Sequence, residues 1–123
     1  MTTPLSYLDR QLKFGTILPD FQAWLDWMAT QSDGATWTQH ATGPDARQVV
    51  EITAGAGVPD APTLFFIHGG YWRAQDIARY RFVARGAAAL GGAVALAEYR
   101  LMPQVTLTDL IEDAVAALQT TAS

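Results

Sequence analysis

The chain has 123 residues, half of them apolar, with no cysteine and a net charge of −4. This length and composition admit one ordinary globular domain. The lack of cysteine excludes disulfides, thiolate metal sites and a cysteine nucleophile, and the acidic balance argues against a nucleic-acid surface, which needs a basic stripe.

The first residues, Met1 to Arg10, lack the basic start and apolar centre of a secretion signal. The longest apolar run, Gly86 to Ala97, is too short to span a bilayer and is split by Gly91-Gly92. A soluble, cytoplasmic protein with no membrane partner is expected. From Asp20 onward, Phe21, Trp24, Leu25 and Met28 recur with helical spacing. Asp20 is placed to cap that helix and Gly34 to end it, with the aromatic stripe facing the core. Residues 36–40 and 47–53 read as strands around the turn Thr42-Gly43-Pro44-Asp45, an antiparallel pair. His40 falls in the first of them, as a surface or half-buried strand residue.

Beyond the loop 54–62 the pattern alternates strand and helix. Thr63 to Ile67 is a continuous apolar run, as expected of a strand buried on both faces. Asp76 caps a predicted helix reaching Leu90, with Ile77, Tyr80, Val83, Ala84, Ala87 and Leu90 inward and Gly91 as its left-handed stop. Arg73, Arg79, Arg81 and Arg85 then form a solvated face. Ala93 to Glu98 is a second buried strand. After Pro103 comes a helix with the stripe Leu107, Leu110, Ile111, Ala114 and Leu118. Thr106 and Asp109 resemble a capping box, and Asp109, Glu112 and Asp113 suit its positive start. The predicted fold class is α/β: an antiparallel strand pair leading into a parallel sheet flanked by helices.

The chemistry concentrates in His68-Gly69-Gly70-Tyr71-Trp72, which leaves the C-terminal end of a buried strand, where α/β sheets bind ligands. Glycines there let main-chain N–H groups approach a reacting carbonyl and stabilise its developing charge. The amides of Gly70 and Tyr71 are the candidate oxyanion donors, and Gly69 supplies the turn's freedom. His68 positions the loop through side-chain hydrogen bonds; Trp72 and Tyr99 wall a substrate pocket. The only serines are Ser6, Ser32 and Ser123, none in a Gly-x-Ser-x-Gly turn, so no nucleophile is assigned. His40 and His68 are the only histidines, without paired ligand spacing, and neither metal nor cofactor is expected. A dinucleotide site, with Glu98 as its ribose acid, would need Gly-x-Gly-x-x-Gly and a helix start against the glycines, and has neither.

His68-Gly69-Gly70-Tyr71-Trp72, followed by Tyr99-Arg100-Leu101-Met102-Pro103 and Leu110-Ile111-Glu112-Asp113-Ala114, resembles the α/β-hydrolase superfamily. The likeness is to its hormone-sensitive-lipase-like esterases and kynurenine formamidases. It implies a serine hydrolase acting on a small carboxylic ester or N-formyl aryl amide, whose Ser, acid and His lie downstream. On that reading residues 1–123 form one incomplete domain: a helical segment (1–35) and the first half of the sheet (36–123). The chain ends where the nucleophile elbow should begin, so 1–123 alone is expected to be inactive. The strand ending at Ile67 would keep an open edge, to be covered by a complementing chain or a second copy. A non-catalytic, self-associating or partner-binding module is the alternative.

Overall fold

The computed structural model describes Ser6, Tyr7, Arg10 and residues 18–31 and 35–123. Its centre is a four-stranded sheet of β1 (Trp37–Ala41), β2 (Val49–Thr53), β3 (Thr63–Ile67) and β4 (Ala93–Ala97), in the order β1-β2-β4-β3. β1 and β2 pair antiparallel, as do β2 and β4, whereas β3 and β4 run parallel with Ile67 opposite Ala97. α1 (Phe21–Thr30), a 3-10 turn (Ile77–Tyr80), α2 (Val83–Ala88) and α3 (Leu107–Ala122) complete the described elements.

β4 organises the core because Ala-Val-Ala-Leu-Ala is apolar on both faces. Alternate side chains point to opposite sides of a strand. Val94 and Leu96 therefore pack with Ile77, Ala84 and Ala87 on one face. Ala95 and Ala97 pack with Val50 and Ala117 of α3 on the other. The result is three layers, helix on sheet on helix, with an α/β architecture as the sequence pattern predicts.

Several local expectations change. β3 keeps the open edge expected of the strand ending at Ile67, but it is not buried on both faces: Leu64 and Ile67 are 46% and 51% exposed. Its apolar run reflects surface that the described residues do not cover. The predicted helix 76–90 is divided into the 3-10 turn and α2. Asp76 caps it, accepting from the Arg79 N–H, and Gly91 has φ +75°. Between them the winding is tight, with Ala84 N–H bonding to Arg81 and Arg85 N–H to Phe82. This path lays Tyr80 over Phe66 and His68 while Arg81 reaches the buried Glu51, and it turns Leu90 out to 82% exposure. Arg81 therefore forms a sheet-face ion pair with Glu51, while its side chain stays 36% exposed. Arg79 pairs with Asp76, and Arg85 with Gln31.

In α1, Leu25 is buried and Phe21 and Met28 are half-buried, but Trp24 faces solvent, 61% exposed, edge-on to Trp27. Asp20 makes no side-chain cap there. Gly34, and most of the predicted helical segment 1–35, lie outside the described residues. His40 is exposed in β1. The capping box of α3 is present, with the Asp109 N–H donating to the Thr106 hydroxyl and the Thr106 N–H to the Asp109 carboxylate.

Candidate active site

β3 ends at Ile67, and the chain then turns sharply through Gly69 to Gln75. Gly70 has φ +131°, Tyr71 +53°, Trp72 +60° and Gln75 +77°. Such values are strained for residues bearing a Cβ, and concentrate where neighbours over-determine the backbone. Two main-chain bonds supply that constraint: Arg73 N–H to Gly70 O, and Met102 N–H to Trp72 O at 2.9 Å. The second ties this loop to the one leaving β4. The glycine that the turn requires is Gly70, not Gly69 as the sequence suggests. A Cβ at Gly70 would stand 2.3 Å from the Ala74 carbonyl oxygen, whereas one at Gly69 meets nothing. Among the described residues, no main-chain carbonyl takes the Gly70 N–H.

Behind the loop lies a buried polar cluster centred on Glu98. Its Oε1 lies 2.7 Å from His68 Nε2 and accepts from Arg47 at 2.9 Å and from the Tyr99 N–H. Its Oε2 accepts the N–H of Ile77, the first residue of the 3-10 turn. One carboxylate thus joins the ends of β3 and β4, the turn before β2, and the 3-10 turn. Buried carboxylates persist where such donors replace water. The His68 side chain is fully buried, with Nδ1 2.7 Å from Gly69 O. The Tyr99 hydroxyl donates to His68 O at 2.8 Å, and its ring stacks on the imidazole at 4.4 Å. Burial, reinforced by the Glu98 charge, pushes the Tyr99 phenol up to about 12, so it remains a donor.

In front of the loop, Ile67, Trp72 and Tyr99 line a cavity of about 170 Å³. Its other wall is α3, through Leu107, Leu110, Ile111 and Ala114. The apolar stripe of this helix therefore divides. Leu110 is buried, while Leu107 and Ile111 remain 46% and 57% exposed around the cavity. The start of α3 is held by Asp113, which receives Arg100 through Nε, Nη2 and the main chain, and Gln48 through its amide. Asp113 is a buried anchor for the β4–α3 loop rather than a helix-start charge. Burial pushes its carboxyl up, but the Arg100 and Gln48 hydrogen bonds outweigh that and hold it below the usual range.

The sequence matches the alpha/beta hydrolase fold family over residues 64–123, from within β3 to the end of α3. It is 32% identical over 83 residues to kynurenine formamidase of Drosophila melanogaster, covering 67% of this chain and 27% of that protein. The structure superposes on esterase B of Lactobacillus rhamnosis with a TM-score of 0.68 and 25% identity, covering 93% of this chain and 40% of that one. A bacterial heroin esterase gives 0.64 and 28%, over 83% of this chain and 34% of the other. The chain has the α/β-hydrolase fold over the part it shares with these proteins. It spans about a quarter of the length of the curated relative (27%) and 40% of the esterase B chain.

Within this fold, the structure groups His68, Gly69, Gly70, Tyr71, Trp72 and Tyr99 around the ends of β3 and β4. Trp72 and Tyr99 share the cavity; Tyr99 is otherwise buried against His68. Sequence reasoning missed Arg47, and weighed Glu98 only as a ribose acid. Glu98 is 5% exposed and engaged by His68, Arg47 and two main-chain N–H groups, which leaves it no ribose to meet. The signal was an acid closing the all-apolar run 93–97, a position that demands a cationic partner.

Proposed function

We propose that this chain supplies the oxyanion-binding part of a serine hydrolase acting on small carboxylic esters or N-formyl aryl amides. The observation that carries the reading is the β3-exit loop, whose glycine and two aromatic residues hold positive φ beside an apolar cavity. In this reading the amides of Gly70 and Tyr71 receive the carbonyl oxygen as it becomes negative. A serine from the remainder of the hydrolase, activated by histidine, attacks the carbonyl carbon; the leaving alcohol or amine departs with the histidine's proton. Water then releases the acyl group, and the oxygen is again held by the amides. Trp72, 55% exposed at the cavity mouth, is suited to an aryl leaving group. The formamidase and esterase names of the relatives both fit such an acyl transfer.

The test compares the isolated chain with a polypeptide that completes the hydrolase, on p-nitrophenyl acetate and N-formylkynurenine. Turnover is expected only from the completed protein, and Gly70→Ala, whose Cβ clashes with the Ala74 carbonyl and shifts the amide, should lower its kcat. A completed, folded protein that hydrolyses neither substrate overturns the reading.

A further inference from the structure

We propose that His68 is carried in the folded protein as a buried imidazolium. Its two N–H groups link the Glu98 carboxylate to the Gly69–Gly70 peptide, so His68 and Glu98 are positioning residues for the Gly70 amide. The functional consequence rests on the hydrolase reading; the assignment of the proton does not.

A neutral imidazole has one N–H and one bare lone pair. Here Nε2 lies 2.7 Å from a carboxylate oxygen and Nδ1 lies 2.7 Å from the carbonyl oxygen of Gly69. The Gly69 carbonyl has no proton to give, and Glu98 Oε1 already accepts from Arg47 and the Tyr99 N–H, as a carboxylate oxygen does; against these two acceptors either neutral tautomer would set a lone pair against a lone pair at hydrogen-bond distance. The Tyr99 hydroxyl is 3.4 Å from Nδ1, but its proton is directed to His68 O at 2.8 Å. With both nitrogens protonated, every contact becomes a charge-assisted bond. The ring also stacks on Tyr99 at 4.4 Å and Tyr80 at 5.6 Å, aromatic faces that favour a cation. Arg47 is the opposing charge. It is divided among Glu98, Tyr99 O and Gln75 O and its side chain is 30% exposed, so solvent screens it.

The consequence lies in one peptide group. In a planar trans peptide the Gly69 C=O and the Gly70 N–H point in opposite directions. Donation from Nδ1–H to that carbonyl therefore turns the Gly70 N–H away from the ring, and a cationic donor polarises the amide further.

The chain holds two histidines, of which His40 is exposed, so ring-nitrogen NMR on histidine-labelled protein yields two separable signatures. Near neutral pH, His68 is expected to show two protonated nitrogens, each coupled to a ring N–H. A wild-type spectrum with one bare, pyridine-type nitrogen overturns the proposal. Glu98→Gln preserves shape but removes the countercharge, and is expected to cost His68 one ring proton. If folded Glu98→Gln keeps both ring protons, Glu98 is not the group that holds the charge and the proposal fails. Should that variant not fold, the wild-type spectrum decides alone. Ester hydrolysis is read separately: an inactive completed enzyme with a cationic His68 removes the hydrolase reading only, and an active one with a neutral His68 removes this proposal only.

Discussion

At the scale of single residues, two adjacent glycines make a clean contrast. Gly70 occupies φ +131° with the Ala74 carbonyl against its open side, whereas Gly69 has room for a side chain and is absent from the positive-φ residues. Gly70→Ala is expected to destabilise by about 1–3 kcal/mol and Gly69→Ala by under about 0.5 kcal/mol in urea unfolding. Equal losses at the two positions would show that the loop is not held as described. Asp113 makes a second test. Its folded-state carboxyl titrates below the usual range, as does that of Asp109, which is lowered first by the Thr106 main-chain N–H. A depressed carboxylate adds stability that is complete above the unfolded value, about pH 4, and is lost as pH falls through the folded value. Asp113→Ala, which removes the buried acceptor of Arg100 and Gln48, should lower stability near neutral pH and flatten the acid limb of the stability profile. The Glu98 cluster shows where reading the sequence stops at this scale. An acid ending an apolar strand announces a partner, but His68 and Arg47 lie 30 and 51 residues away and only folding brings them to it.

At the scale of elements, the strongest local signals survive and the weaker ones yield to packing. The Thr106–Asp109 box needs only residues three apart, so it was legible before any fold was known. Thr106→Ala should cost about 1 kcal/mol, read by chemical denaturation, with the unfolding slope unchanged. The helix expected over 76–90 had the right inward residues in Ile77, Ala84 and Ala87, yet it is wound as a 3-10 turn and a short α2. Spacing cannot distinguish these windings. The choice follows from Tyr80 stacking on His68 and Arg81 binding Glu51, both contacts with strands far away in sequence. Trp24 illustrates the converse: helical periodicity places it with Leu25, but α1 packs beside the 3-10 turn and leaves it to solvent.

At the scale of the molecule, the outer edge of β3 and the open side of α3 form one apolar surface. Leu64, Ile67, Ile111, Val115 and Leu118 are each 46–57% exposed. An uncharged edge strand beside exposed aliphatic residues invites pairing with another strand. The isolated 123-residue chain is expected to associate with rising concentration in light scattering, and Leu64→Lys to shift it towards monomer. Concentration-independent monomers of the wild type would contradict this.

The sequence by itself determined the α/β order of elements, the antiparallel pair, the buried β4, the α3 cap and the loop that bears the glycines. Each depends on neighbours within a few residues, on spacing and on backbone freedom. Only the tertiary structure decided that Gly70 is the strained position, that the α3 stripe is half cavity wall, and that Glu98 binds His68 and Arg47. Those depend on which distant surfaces meet, and burial, charge pairing and steric contact arise only after the layers have closed.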